Sequence, residues 1–183
     1  MIVITETKIS KKGKTITLRS PVLADAPALR SMMVAMAETA PYIASTAEDF
    51  RTKPADNEEK WIERNSTDPR GMLIVAECDG RIIGNLEFSA GNRTKSLHRG
   101  HLGMGIVEDM RGEGVGELLL KKLFAEAPRV EGLTQIELGV MHPNTSAHNL
   151  YKKMGFKDCG RKPNAFKLHD GTFADEISMY VEI

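Results

Sequence analysis

Cysteine is scarce in this sequence, with only Cys78 and Cys159 in 183 residues. Two thiols make no disulfide framework for a chain of this length, and neither has the paired spacing of a zinc site. The expectation is a reducing, cytoplasmic setting and no metal. Aromatic residues make up only 5%, with a single tryptophan, and no basic stripe runs along the chain. That combination excludes nucleic acid as an expected partner. Neither charge sign is in excess, since 25 Lys and Arg balance 25 Asp and Glu. A balanced chain also has no reason to coat an anionic membrane. Long apolar runs are missing as well. Runs such as Met72–Ala76 are strand-sized, well short of the roughly 18–20 residues of a membrane span. Met1 to Ile16 carries four lysines where a secretory signal would carry an apolar stretch. There is no internal repeat and no low-complexity linker.

What is present is an ordinary globular composition, 41% hydrophobic and 27% charged, in the length of one domain. Lys8–Lys14 reads as part of a short, solvated basic arm over residues 1–14, leaving one domain over 15–183. Thr15–Arg19 alternates in the manner of a half-buried strand. Asp25 precedes a helix stripe of Ala28, Leu29, Met32, Met33 and Met36, methionines suited to core packing. Pro41 to Pro54 is expected to be irregular, and Asp56–Asn65 an amphipathic helix. Met72–Cys78 and Arg81–Ser89 flank Asp79-Gly80, a strong hairpin signal because a type I′ turn needs positive φ. His101–Val107 is a strand, Gly112–Ala127 a helix, Gln135–Val140 a strand and Thr145–Met154 a helix stopped by Gly155. His169–Gly171 reads as a turn and Glu176–Ile183 as the last strand, with another short strand near Phe166. The order is that of a single α/β (α+β) domain, a mixed sheet flanked by helices.

The segment most informative about chemistry is LGMGIVEDMRGEGVGELLL, residues 102–120. A strand runs into Arg111-Gly112-Glu113-Gly114-Val115-Gly116 and then into a strongly apolar helix. Glycines let successive N–H groups converge on one concavity, and the helix N-terminus adds partial positive charge. The product is an anion site suited to a pyrophosphate. It is not a Walker loop, which ends Gly-Lys-Ser/Thr where this one has Gly116-Glu117. It is not a dinucleotide fingerprint either, because the spacing is RxxGxG and the loop lies mid-chain.

A second segment follows after another strand. Asn144, Ala147, Leu150, Tyr151, Gly155 and Phe156 spell N-x-x-A-x-x-L-Y-x-x-x-G-F. Together with RxxGxG, this pair of motifs resembles the GCN5-related N-acetyltransferases, and the likeness spans roughly Thr15 to Ile183. The resemblance implies a mostly antiparallel twisted sheet whose central strands splay into an acetyl-CoA cleft. Acetyl-CoA is then a cosubstrate, and the acceptor is a small-molecule amine or a peptide N-terminus. A homodimer is compatible with it. By the same resemblance, the amides of Arg111, Gly112, Glu113, Gly114, Val115 and Gly116 hold the pyrophosphate. The strand ending at Ile106-Val107 pairs with the pantetheine arm, and an N–H near Ile106 polarises the thioester carbonyl. Asn144 lies along the cofactor arm, and Tyr151 is the general acid that protonates the departing thiolate.

The sequence departs from the family pattern at one place. Many relatives carry a glutamate two residues after the position of Glu137, and here that position is Gly139. The general base is then expected from Glu87, His98 or His101, or from a chain of waters. His101 is attractive because imidazole titrates near neutrality. Asp175 and Glu176 read first as solubilising residues beside a turn, with a place facing the amine substrate as the alternative. The function expected is transfer of an acetyl group to a primary amine. The rivals are transfer of another acyl group and a regulatory module that binds acyl-CoA without catalysis.

Overall fold

The computed structural model describes the whole chain, Met1–Ile183. The chain builds β1 (Glu6–Ile9), β2 (Thr15–Arg19), α1 (Ala26–Thr39), α2 (Ala47–Arg51), α3 (Asn57–Thr67), β3 (Gly71–Cys78) and β4 (Arg81–Ala90). It continues with β5 (Arg99–Ile106), α4 (Val115–Glu126), β6 (Gln135–Met141), α5 (Thr145–Lys153), β7 (Lys157–Lys167) and β8 (Phe173–Glu182). The eight strands form one sheet in the order β1-β2-β3-β4-β5-β6-β8-β7. Every neighbouring pair is antiparallel except β5 and β6. A parallel pair needs a crossover, and α4 supplies it.

Helices cover both faces of the sheet. Residues on β5 alternate: a Cβ on Gly105 would strike Met36 of α1, while Met104 and Ile106 reach Gly116 of α4. Hence α1 and α4 lie on opposite faces. Central β3 is therefore buried on both sides, which explains the unbroken Met72–Ala76 run, no residue of which is more than 1% exposed. The β3–β4 turn is as expected, with Asp79 at φ 51° and Gly80 at φ 75°.

Three segments differ from the sequence expectation. Residues 1–14 are not a free arm. Residues 6–9 pair with β2 as an edge strand, Val3 is buried, and the Ile4 amide donates to Glu126 Oε1 at 3.1 Å. Most of β1 faces solvent, so no alternation marked it. Helix α2 forms inside the stretch expected to be irregular. There Thr46 and Asp49 cap each other's amides, at 3.1 and 2.6 Å. Strand β7 spans 11 residues. It is an exposed edge strand with register shifts near Pro163 and shows no period-two pattern.

Glu126 holds the N-terminal segment to α4. Its side chain is 3% exposed and meets Lys122 Nζ, itself 5% exposed, at 2.8 Å, together with Arg129 and the Ile4 amide. Glu126→Ala leaves Lys122 buried beside a lost partner. It is expected to cost about 3–5 kcal/mol, read from urea unfolding at neutral pH.

Candidate active site

Strands β5 and β6 pair over only three positions, Arg99 to His101 against Gln135 to Glu137. Beyond them β5 stays with β4 as far as Ile106, and β6 stays with β8 as far as Met141. The two strands therefore part company at His101 and Glu137. A cleft of about 840 Å³ opens between them, bounded also by the loop before α4, by α5 and by the chain after α1.

Backbone alternation decides which groups face this opening. The amide of Val107 donates to Ile83 O, and Arg99 O accepts from Gly91 N, so the odd-numbered residues of β5 bond to β4. The amides of Met104 and Ile106 consequently turn toward the cleft. Ile106 lines it as expected. Val107 does not: its amide is taken by β4 and its side chain is buried.

At one end of the cleft the chain turns through Gly112 at φ 77° and Gly114 at φ 87° into α4. The Arg111 amide, expected in the set, is taken by Glu108 O at 3.0 Å, whereas the amides of residues 112 to 117 donate no hydrogen bond within the protein. Six free N–H groups therefore lie in this turn and in the first turn of α4, where the backbone favours negative charge. Gly112, Gly114, Val115 and Gly116 line the cleft. Gly116 has a packing duty too, since a Cβ there would lie 2.8 Å from Leu150 Cδ2 of α5.

The two charged residues of this loop work elsewhere. Glu113 turns its carboxylate away from the cleft into the turn after β1, where Lys12 Nζ lies at 2.8 Å and Ser10 Oγ at 3.4 Å. The Lys12 hydrogen bond holds that carboxyl below its ordinary range. Arg111 lines the cleft, but its guanidinium donates to Thr39 O and Thr39 Oγ1, both at 3.0 Å, and to Ile106 O at 3.1 Å. It thereby ties the carboxyl end of α1, where cations are favourable, to the end of β5. Glu117, in the first turn of α4, would oppose an anion if left alone. Lys121 and then Lys153 hydrogen-bond it and hold its carboxyl down at about 2.

Helix α5 borders the other side. Asn144 lines the cleft, with its side-chain oxygen spent on capping α5 through Ala147 N at 3.2 Å. Tyr151 is 6% exposed, and its ring meets Phe156 edge-on with centroids 5.6 Å apart. The only side-chain polar atom sealed from solvent without a partner is Asn85 Oδ1. The Tyr151 hydroxyl bonds to no protein group and is not sealed from solvent, and the residue lines the cleft. Burial pushes its pKa up to about 12.

The residues considered as base divide. His101 lines the cleft at the point where the strands part. His98 precedes β5 and lies outside the cleft lining. Glu87 is also outside: its Oε1 accepts from Trp61 Nε1 at 2.6 Å, Arg64 Nη2 at 2.8 Å and Asn65 Nδ2 at 3.2 Å. Glu87 is thus a structural acceptor that joins α3 to β4.

Two further residues line the cleft, one of them read as part of an arm and the other chiefly as a solubilising residue. Lys11, in the segment read as a free arm, lays its stem against Gly114, with Cγ 3.3 Å from where a Cβ would stand. Glu176, read as a turn-side residue, projects from β8 over Gly139. Neither position follows from local pattern, because each depends on which strand lies next to which. No group of three or more His, Cys, Asp or Glu stands close enough to hold a metal ion. No helix is long and apolar enough to cross a membrane.

A splayed mixed sheet with an amide-lined loop at the mouth of the opening is the architecture of an acyltransferase domain, and sequence comparison agrees. The model of the Acetyltransferase (GNAT) family matches residues 33–156, so the chain belongs to that family. It is 27% identical over 128 residues to the L-amino acid N-acetyltransferase AaaT of Escherichia coli, covering 69% of this chain and 77% of that one. Its fold matches the crystal structure of a GNAT-family acetyltransferase from Streptococcus pneumoniae. There the TM-score is 0.86 at 22% identity, over 92% of this chain and 99% of that one. It also matches yncA of Salmonella typhimurium, a putative acetyltransferase solved with acetyl-CoA. That match has a TM-score of 0.78 at 22% identity, over 91% and 93% of the two chains.

The Tyr151 hydroxyl is expected to titrate at about 12. Its folded value stands above the unfolded one of 10.0. The stability it contributes is therefore whole below that unfolded value and is lost as pH rises through the folded one. Ultraviolet titration of tyrosinate checks this, and the late step should vanish in Tyr151→Phe.

Proposed function

We propose that the chain is an acetyl-CoA-dependent N-acetyltransferase that acetylates a primary amine by direct attack within a ternary complex. One observation carries this reading: the opening between β5 and β6 has six unpartnered amides at its mouth and an unpartnered tyrosine hydroxyl on its wall. The relative named as an L-amino acid N-acetyltransferase and the similar fold solved with acetyl-CoA support the same reading. An amino acid or a peptide N-terminus is the acceptor class we favour. The two free cysteines suit a reducing cytoplasm.

The residues fit a CoA-type ligand. Amides 112 to 117 receive the pyrophosphate, and Lys11, which forms no ion pair, adds a positive charge beside Gly114. When bound, acetyl-CoA supplies an activated acyl carbon and a thiolate leaving group. The amides of Met104 and Ile106 extend the β5 edge toward the arm, and a free N–H there stabilises negative charge on the acyl oxygen. Tyr151, still protonated far above neutral pH, holds the proton that the sulfur needs.

A thiol-release assay with acetyl-CoA against amino acids, polyamines and peptides tests the activity. Release with acetyl-CoA alone among acyl donors would support it, and CoA binding without release would favour a regulatory module. CoA at about 100 times its dissociation constant is expected to stabilise the fold by roughly 2.7 kcal/mol. Gly114→Val should abolish that gain, because a β-branched residue resists φ of 87° and crowds Lys11. Tyr151→Phe keeps the ring on Phe156 and should leave CoA affinity unchanged. It is expected to lower turnover by about 10²–10⁴-fold, with stability altered by no more than about 1 kcal/mol.

A further inference from the structure

We infer that the carboxylate of Glu176 is the general base of this site, reaching from the neighbouring strand into the space that the missing side chain of Gly139 leaves open. The inference rests on the amine-acetylation reading above.

Gly139 lies on β6 just past the point where β5 leaves, and it lines the cleft. It pairs with Ser178 of β8, and Met141 pairs with Glu176, so Glu176 is its diagonal neighbour on the same face. A Cβ added at Gly139 would lie 2.8 Å from Glu176 Cδ and 3.1 Å from Cγ, with Oε1 closer still. All three of its nearest atoms belong to Glu176. The carboxylate therefore fills the place that a side chain at 139 would otherwise take.

The face is the one required for an amine. His101 pairs with Glu137, so His101, Gly103 and Gly105 on β5 share a face with Glu137 and Gly139 on β6. A Cβ at Gly105 would meet Met36, which identifies this as the α1 face. A Cβ at Gly103 would meet nothing within 4 Å, so the strand is bare where an acceptor would approach. Tyr151 comes from α5, which packs with Gly116 of α4 on the other face. The acid and the base thus flank the opening from opposite faces, so the incoming amine and the departing sulfur each meet a separate proton-transfer group.

Among the carboxylates, availability singles out Glu176. Only two carboxylates line the cleft, Glu117 and Glu176. Glu117 is held by Lys121 at 2.8 Å and Lys153 at 2.5 Å. Glu176 has no ion pair and no side-chain hydrogen bond. Its sequence neighbour Asp175 is engaged by Arg161 Nε at 2.6 Å and Asn164 N at 2.8 Å.

Glu176 removes a proton from the amine nitrogen as that nitrogen forms its bond to the acyl carbon. As the carbon–sulfur bond breaks, its electron pair goes to sulfur, and Tyr151 delivers a proton there. The proton on Glu176 returns to the tyrosinate through solvent. The products are the amide and free CoA thiol, with both residues restored.

The test exchanges the two positions. Glu176→Gln is expected to lower turnover by about 10²–10³-fold while leaving the dissociation constant for CoA unchanged. Glu176→Ala should lose as much. Gly139 has no positive φ, and the three atoms nearest its Cβ position all belong to Glu176. The double variant Gly139→Glu, Glu176→Ala can therefore carry the carboxylate from the other strand, and it should recover at least about tenfold over Glu176→Ala. Turnover of Glu176→Gln within about threefold of wild type would overturn the assignment. So would a loss that the double variant does not relieve, because Glu176 would then be only a packing group. Wild-type protein that binds CoA but acetylates no amine would instead strike the underlying reading of the activity.

Discussion

Everything functional in this molecule depends on where one backbone ladder stops. Buried amides and carbonyls need partners, and a sheet ordinarily supplies them along the full length of each strand. Here the single parallel pair ends after three positions, while the outer antiparallel pairs on either side continue. The interior edge of β5 is left with donors that no protein group satisfies, in the middle of a sheet whose other strands are closed. Those donors are what an extended ligand entering the opening would meet first.

The polar side chains around the opening are economically divided. Most of those that look functional in sequence hold the scaffold. Arg111 fastens α1 to β5, Glu113 docks the first hairpin on the loop, and Asn144 caps α5. Glu87 anchors α3. Their work is positional, and it brings a bare nest of amides, a free hydroxyl and a free carboxylate to one cleft. The glycines divide in the same way. Gly112 and Gly114 have the left-handed backbone of the turn. Gly116 lets α4 approach α5, and Gly139 yields its volume to a residue of the next strand.

The arrangement also bears on how such sites vary. A carboxylate needed at one point in space can be carried by either of two neighbouring strands, provided the other strand offers no side chain there. Gly139 and Glu176 are two halves of one feature, although they lie far apart in the sequence. A residue missing from its expected position does not by itself mean that its chemistry is missing.

The sequence by itself determined the elements with strong local signals. Two β-rich runs on either side of the Asp79-Gly80 turn marked the central hairpin, apolar spacing marked α1 and α4, and the glycine loop with the Asn144–Phe156 segment located the cleft and its tyrosine. These signals are short in range, since a turn, a helix stripe or a nest of amides is made by residues close together in the chain. Tertiary structure alone decided the rest. Exposed edge strands such as β1 and β7 bury too little to leave a pattern, so pairing partners defined them. The roles of Lys11, Glu87 and Glu176 depended on strand order and face. Face is set by register against a neighbour, and a neighbour in a sheet can come from anywhere in the chain.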